Sequence, residues 1–197
     1  MTPGLRERKK LRTRASIQKE AMRLFLEKGF EETTIEDIAE AVEISPSTFF
    51  NYFPSKEDVV FQDELDPLII QAFDAQPSSV NPIRRLRIAM RTVFSHLTPE
   101  QEKMVRQRTQ LFISTPELRG AMLSQFADLV DQITALLAAR FGTSTSDFAV
   151  RNMAGAVLGV LLASFLVLTR DPKADMMKLA DRALEHLEAG LPLDWKG

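Results

Sequence analysis

Residues 45–53 gather hydroxyl, amide and aromatic side chains at spacings that suit contact with DNA. The segment reads Ser-Pro-Ser-Thr-Phe-Phe-Asn-Tyr-Phe. On a helix with about 100° per residue, Phe49 and Phe53 lie about 40° apart and share one face. The hydroxyls and the amide point elsewhere, where such groups meet phosphates and base edges, and an aromatic ring can pack on a thymine methyl. The spacing predicts a short helix with a narrow buried face and a polar, DNA-contacting remainder.

Capping signals on both sides make this segment the second helix of a helix-turn-helix. Pro54 disfavours helical geometry at Phe53 and ends the segment. A tight connection at Glu43-Ile44 precedes it. The expected boundaries are a first helix from about Thr13 to Lys28 with Gly29 as its C-cap, a capping box of Thr33 and Glu36, and Ser45 with Pro46 at the start of the third helix.

Charge is unevenly distributed, although the net charge is only −2 and the pI is near 5.8. Residues 1–19 carry seven basic side chains and one acid, a balance of +6, whereas residues 20–45 have a balance of −6. A basic N-terminal arm on an acidic protein suits local contact with a polyanion; the alternative is a solvated tail. Six of the basic side chains are expected to contact the DNA backbone: Arg6, Arg8, Lys9, Lys10, Arg12 and Arg14.

The chain offers little for catalysis. It has no cysteine, and His96 and His186 are its two histidines, which excludes disulfides, thiolate sites and a multi-histidine metal site. No nucleophile–base pair, metal-ligand spacing or phosphate-binding loop is present in the sequence. We therefore expect a protein that is not an enzyme and that uses no metal or cofactor.

Helical periodicity covers nearly the whole chain, and no run alternates strictly enough for a strand. A fourth helix is expected from the Ser55–Asp58 cap toward the low seventies, before a linker-like stretch at 76–82. Longer helices are expected at about 82–97, 99–113, 116–141, 145–170 and 172–190, with Pro99, Pro116 and Pro172 in first turns. The predicted fold is all-α with about nine helices, divided into a basic arm (1–12), a helix-turn-helix domain (13–60) and a C-terminal bundle (61–197).

Eighteen uncharged residues between Arg151 and Arg170 reach the lower limit for a membrane span. Polar ends and the lack of a basic loop asymmetry disfavour insertion. The alternative is a helix buried at the centre of a bundle or in a dimer interface. Gly155, Gly159 and Ala163 would let another helix approach closely there.

The combined pattern resembles the TetR family of bacterial repressors over about residues 13–62. The residues that carry the resemblance are Ile17-x3-Ala21-x2-Leu24-Phe25-x3-Gly29-Phe30-x2-Thr33-Thr34-x3-Ile38-Ala39, followed by Ser45-Pro46-Ser47-Thr48-Phe49-Phe50-Asn51-Tyr52-Phe53-Pro54-Ser55-Lys56-Glu57. The resemblance implies a dimeric DNA-binding repressor that a small ligand releases from its operator.

Candidate site residues follow from motif position and helix order in the family. The operator contacts would be Thr34, Ser45, Pro46, Ser47, Thr48, Phe50, Asn51, Tyr52 and Lys56. An apolar or amphipathic effector would contact Phe94, Met104, Arg108, Phe112, Met122, Phe126 and Phe165, although plain core packing explains each of these residues as well. The last two helices would form the dimer interface through Gly155, Gly159, Ala163, Leu184 and Leu187.

Two departures from the family pattern affect the site. The family usually has glycine in the turn where this chain has Glu43, so the turn must use a geometry that a side chain tolerates. The family often has tyrosine where this chain has Phe50, which removes a hydroxyl contact to phosphate.

The sequence thus predicts a cytoplasmic, homodimeric, ligand-responsive transcriptional regulator that binds double-stranded operator DNA and no membrane. A helical dimeric adaptor without sequence-specific DNA binding is the alternative; it would show no salt-dependent affinity for DNA.

Overall fold

The protein is all-α, as the sequence predicts. The computed structural model describes residues 4–62, 65–171 and 173–193, and within these ranges it contains ten α-helices and no strand. The helices are α1 (Leu5–Lys28), α2 (Ile35–Ala41), α3 (Pro46–Phe50), α4 (Asp58–Phe61), α5 (Asp66–Asp74), α6 (Pro82–Phe94), α7 (Pro99–Ser114), α8 (Pro116–Phe141), α9 (Phe148–Leu168) and α10 (Met176–Glu188).

Packing divides the chain into two compact units. The first unit comprises Met1–Asp63 and Lys103–Arg119, and the second comprises Glu64–Glu102 and Gly120–Gly197. The sequence places the boundary between the helix-turn-helix domain and the C-terminal bundle at residue 60, whereas most of α7 and the first turn of α8 group with the N-terminal helices. Phe112 shows why: its ring lies 5.9 Å from that of Phe61 and is buried.

The first helix begins earlier than expected. Residues of the predicted arm from Leu5 onward continue α1, and the Arg8 amide donates to the Gly4 carbonyl at 3.0 Å in its first turn. Leucine, arginine, lysine and glutamate fill this stretch, and all are strong helix formers. The basic side chains before Thr13 are therefore carried on a helix and not on an extended arm.

The predicted fourth helix is two helices, α4 and α5, which raises the number above nine. Gln62 ends α4 with an extended ψ of 124°, and Pro67 stands in the first turn of α5. Proline has no amide hydrogen to donate within a helix and its ring clashes with the preceding turn, so a continuous helix through this position is strongly disfavoured.

The second unit has its core between α5, α6, α8 and α9, with α10 packed on α6 and α9. The last helix begins at Met176, where the Asp175 carboxylate accepts from the Lys178 amide at 3.1 Å, and not at 172 as predicted. Pro172, the expected first-turn residue, lies outside the described residues. The buried core residues are Phe73, Ala89, Val130, Leu137, Ala138, Val150 and Ala154.

Candidate nucleic-acid interface

In the first unit, α2 and α3 form a helix-turn-helix, and α1 packs against α2. Ile38 and Ala39 of α2 and Phe49 of α3 are buried, with at most 1% of each residue exposed. The Phe49 ring also lies 5.9 Å from that of Phe53, which is fully buried. The face that sequence periodicity assigned to the interior is the face that packs.

The start of α2 lies one residue later than the predicted capping box. Thr34 is the N-cap: its hydroxyl accepts from the Asp37 amide, and the Asp37 carboxylate accepts from the Thr34 amide, both at 3.0 Å. Thr33 is instead fully buried, and its hydroxyl donates to the Gly29 carbonyl at 2.7 Å. The backbone hydrogen bond from Thr34, with a further contribution from the ammonium of Lys28, lowers the pKa of Asp37. Thr34 remains on the surface, where an operator contact would require it.

The turn between the two helices is tight and uses a left-handed residue. The Glu43 amide donates to the Glu40 carbonyl at 3.1 Å, and the Ile44 amide donates to the Ala39 carbonyl at 2.9 Å. This pair of hydrogen bonds is the Schellman arrangement, which needs a positive φ at its penultimate residue. Glu43 adopts that conformation with φ of 55°. The turn therefore keeps a geometry that favours glycine, and the left-handed conformation of Glu43 lowers the stability of the folded protein.

Replacing Glu43 with glycine is expected to stabilise the protein. A left-handed conformation costs a non-glycine residue about 1–2 kcal/mol, and the entropy that glycine loses on folding offsets part of the gain. The net gain of about 0.5–1 kcal/mol should raise the melting temperature by about 2 °C in thermal unfolding. Glu43→Ala is the matched control, because it removes the carboxylate but keeps Cβ. An equal rise in both variants would attribute the effect to charge and contradict the argument from φ.

The outward face of α3 carries the polar residues that the sequence assigned to DNA. Ser45, Pro46, Ser47, Phe50 and Asn51 are exposed, whereas Thr48 and Tyr52 are half-buried. The Phe50 ring is 52% exposed and stands edge-on to the buried Phe49 ring, with centroids 5.7 Å apart. An exposed phenyl ring held in this way presents an apolar surface of the kind that contacts a thymine methyl.

The hydroxyls at the start of α3 are joined to one another. The Ser45 oxygen accepts from the Thr48 amide at 3.1 Å, which caps the helix as predicted, and lies 2.8 Å from the hydroxyl oxygens of both Ser47 and Thr48. A hydroxyl has one donor and two acceptor sites. The three groups thus hold each other in place and retain sites for an external partner.

Lys56 and Arg14 make contacts inside the first unit that the sequence did not reveal. The Lys56 ammonium donates to the carbonyls of Phe30 and Thr33, at 2.6 and 2.9 Å, and lies 4.3 Å from the centre of the Phe30 ring. The Arg14 guanidinium donates to the Tyr52 carbonyl at 2.9 Å and lies 4.4 Å from the centre of the Phe53 ring. By contrast, the other five candidate backbone contacts are exposed on α1: Arg6, Arg8, Lys9, Lys10 and Arg12.

The candidate effector residues are divided between the two units. Met104, Arg108 and Phe112 belong to the first unit, where Phe112 is buried beside Phe61. The second unit holds Phe94, Met122, Phe126 and Phe165, all half-buried, and Phe126 packs against the core of that unit. The sequence-based set of seven is therefore not one cluster within either unit.

The candidate dimer residues on α9 lie where a partner could reach them, but one on α10 does not. Gly159 and Ala163 are exposed and Gly155 is half-buried, whereas Leu184 is fully buried within the chain. Leu184 is thus a core residue, because the face of α10 that carries it packs on α6 and α9. Leu187 is half-buried.

An open groove of about 690 Å³ lies between α9 and α10 of the second unit. Val160, Ala163 and Val167 line it from α9, while Leu179, Ala183 and His186 line it from α10. In length and composition α9 could cross a membrane, and only 17% of its most apolar 18-residue window is buried within the chain. An apolar face of α9 is thus left uncovered in the single chain.

Among the described residues, no group of three histidine or acidic side chains could hold a metal ion.

Comparisons with known proteins agree with the fold and with the N-terminal helix-turn-helix domain. Residues 17–62 match the sequence profile of bacterial regulatory proteins of the tetR family, and residues 80–192 match the profile of the MftR C-terminal domain. The fold is similar to that of Thermus thermophilus FadR, a TetR-family transcriptional repressor whose structure contains lauroyl-CoA. The TM-score is 0.54 at 25% identity, and the match covers 92% of this chain and 96% of that one.

Two regulators are similar along nearly their whole length. The HTH-type transcriptional regulator TcmR of Streptomyces glaucescens is 32% identical over 205 residues, which cover 98% of this chain and 91% of TcmR. The mycofactocin biosynthesis regulator MftR of Mycobacterium tuberculosis is 26% identical over 189 residues, which cover 93% of each protein. With both its domains matched and its helix-turn-helix in place, the chain belongs to the TetR family of DNA-binding transcriptional regulators.

Proposed function

We propose that the protein is a homodimeric repressor, and not an enzyme, that binds a palindromic operator through α3 and leaves it when an apolar or amphipathic effector binds the second unit. One observation carries the DNA-binding part: an exposed row of hydroxyl, amide and aromatic groups on a short helix whose opposite face is anchored by Phe49 and Phe53. The same DNA-binding role assigns the protein to the cytoplasm, where the bacterial chromosome lies.

Base contacts are assigned to the exposed face of α3. The Asn51 amide can donate and accept towards a base edge, the hydroxyls of Ser47 and Thr48 can reach bases or phosphates, and Phe50 can pack on a thymine methyl. Positioning contacts to the DNA backbone complete the set. We assign these to the exposed basic side chains of α1 and to Thr34, Ser45, Pro46 and Tyr52. Lys56 joins them through its third ammonium hydrogen, since the other two are donated to backbone carbonyls.

The dimer is assigned to the uncovered face of α9 and the groove beside α10. Gly159 and Ala163 allow close approach of a second helix. Leu166 is 47% exposed and Val167 is 42% exposed, and both supply apolar surface that a second copy could bury. A symmetric dimer buries the same patch on both copies. Residues of the groove such as Ala183 replace the buried Leu184 in this assignment. The family's DNA-binding role favours a second copy over a membrane as the cover for α9.

The effector is assigned to the second unit, among Phe94, Met122, Phe126 and Phe165. Their apolar, half-buried rings and thioether suit burial of a hydrophobic molecule. The likeness to Thermus thermophilus FadR, which is described in complex with lauroyl-CoA, supports an amphipathic ligand. Such a ligand can release DNA only to the extent that it binds the released form of the protein more tightly.

Selection of bound sequences from random duplex DNA at two salt concentrations tests the proposal. We expect a palindrome with half-sites about 34–36 Å apart and affinity that falls steeply with salt. Recovery of no motif, with weak binding at low salt alone, would favour the adaptor function instead.

Asn51→Ala is expected to change which operators are preferred. Removal of a base-edge hydrogen bond costs about 1–3 kcal/mol at its own position. Repeating the selection should therefore show a relaxed base at one position of each half-site, with the salt dependence retained. Lys9→Ala is the matched control: it should weaken binding to every sequence and reduce the salt slope. The opposite pattern in the two variants would contradict the assigned roles.

A further inference from the structure

Two polar side chains on α1, one helical turn apart, reach the carboxyl-terminal ends of α3 and α4. The Arg14 guanidinium donates to the Tyr52 carbonyl at 2.9 Å and also to the side-chain oxygen of Gln62, while its central carbon lies 4.4 Å from the centre of the Phe53 ring. Both amino groups of the planar fork are thus engaged within the first unit.

Gln18, one helical turn after Arg14, makes similar contacts to backbone carbonyls. Its amide nitrogen lies 2.9 Å from the Val59 carbonyl and 2.5 Å from the Gln62 carbonyl, and the residue is only 4% exposed. The last carbonyls of a helix have no partner inside that helix, and buried polar groups must find one elsewhere. Arg14 and Gln18 supply these partners from a different element.

The helix to which we assign the base contacts, α3, is called the recognition helix from here on, and it depends on such support because it is short. It has five residues, and one of them, Phe49, is buried. Pro54 follows closely and has no amide hydrogen, so the chain after α3 cannot extend its hydrogen-bond ladder. The Tyr52 carbonyl that Arg14 holds is one residue from Asn51 and two from Phe50, which face outward. A positive charge at this end also complements the partial negative charge of the helix terminus.

We propose that Arg14 and Gln18, here named the α1 clamp, are positioning residues that set the orientation of the recognition helix for base readout. Arg14 is therefore removed from the set of DNA-backbone contacts that the sequence suggested. The proposal rests on the assignment of DNA contacts to α3. Its consequence is that the clamp governs the specificity of DNA binding, whereas the exposed basic residues on the same helix govern its salt dependence.

Arg14→Lys tests the clamp. Lysine keeps the charge but has a single ammonium nitrogen, so it loses the fixed fork in which two separate amino groups meet the Tyr52 carbonyl and the Gln62 side chain. We expect the ratio of affinities for the selected palindrome and for random duplex to fall at least tenfold, with the slope of log affinity against log salt unchanged. Amide hydrogen exchange at Asn51, Tyr52 and Phe53 should become faster. Arg12→Gln, an exposed change on the same helix, is the control: it should keep the ratio and lower the slope by about 0.9 for each phosphate that the protein no longer neutralises.

The proposal is overturned if Arg14→Lys weakens both affinities equally and reduces the salt slope, because that pattern marks a side chain that pairs with phosphate. Unchanged exchange at Asn51 to Phe53 also overturns it. If the wild-type protein shows no sequence preference at all, the assignment of α3 fails, and the exchange measurement still decides about the clamp. Should Arg14→Lys fail to fold, Gln62→Ala removes one arm of the same contact at a half-buried site, and a smaller fall in specificity with an unchanged slope is expected.

Discussion

Arg87→Ala should lower the free energy of unfolding of the second unit by about 3 kcal/mol, since Arg87 is the buried cation of an ion-pair network and its removal leaves partly buried carboxylates with less compensation. The Arg87 side chain is 9% exposed on α6 and meets three carboxylates of α10: Asp181 at 3.3 Å, Glu185 at 2.8 Å and Glu188 at 2.9 Å. Without the guanidinium, Glu185 loses this partner, and Asp181 and Glu188 keep only the more exposed Arg91 and Arg84. Chemical denaturation at neutral pH measures the decrease.

Arg84→Ala is the matched control for this network. Arg84 also pairs with Glu188, at 2.8 Å, but its side chain is 63% exposed. An exposed pair contributes less than about 1 kcal/mol because solvent screens it. Equal decreases in the two variants would show that burial of Arg87 contributes nothing beyond a surface ion pair.

The same network gives the Arg87→Ala effect a definite pH dependence. Burial alone would raise the pKa of Asp181, but hydrogen bonds from Arg91 and Arg87 outweigh it, and the pKa is lowered. A lowered pKa in the folded state contributes stability above the unfolded value, about 3.9, that is lost as the pH falls through the folded value. The stability difference between wild type and Arg87→Ala should therefore shrink below about pH 4. A difference that stays constant from pH 7 to pH 3 would contradict this account.

Ala163→Glu should convert the proposed dimer into a monomer and reduce operator affinity by at least about 100-fold. Ala163 is exposed on α9 beside Gly159, where two copies would approach closely. A glutamate there would be buried without a partner, and the symmetry of the dimer would place this charge in the interface twice. Two half-sites read by linked subunits gain about 10²–10⁴ in avidity, and a monomer forfeits that gain. Light scattering with size exclusion reports the oligomeric state, and titration of the selected palindrome reports the affinity.

Ala135→Glu provides the control for the dimer experiment. Ala135 is exposed on α8 of the same unit, so the variant has the same added charge away from the proposed interface. We expect it to remain dimeric with unchanged operator affinity. If Ala163→Glu also remains dimeric, the α9 face is not the interface.

Local signals in the sequence determined the helix-turn-helix and the family. Phe49 and Phe53 are spaced for one helix face, and Ser45 and Pro46 are typical of a helix start; each depends on neighbours within four residues. Such short-range preferences are decided by backbone sterics and nearby hydrogen bonds, so they can be read from the chain before it folds. Pro67 could have predicted the break between α4 and α5 in the same way, but the helical spacing of apolar residues continues across it and favours one helix.

Only the tertiary structure decided how the long polar side chains and the outer helix faces are used. Arg14 and Arg12 look alike in the sequence, yet Arg14 reaches Tyr52, 38 positions away, whereas Arg12 lies in solvent. Leu184 and Ala163 were both assigned to the dimer, and packing of α10 on α6 and α9 buries Leu184 completely. Helical periodicity shows that a helix has an apolar face, but not which element covers it. The partner of a flexible charged or amide group depends on contacts between distant segments, and these exist only once the helices have packed.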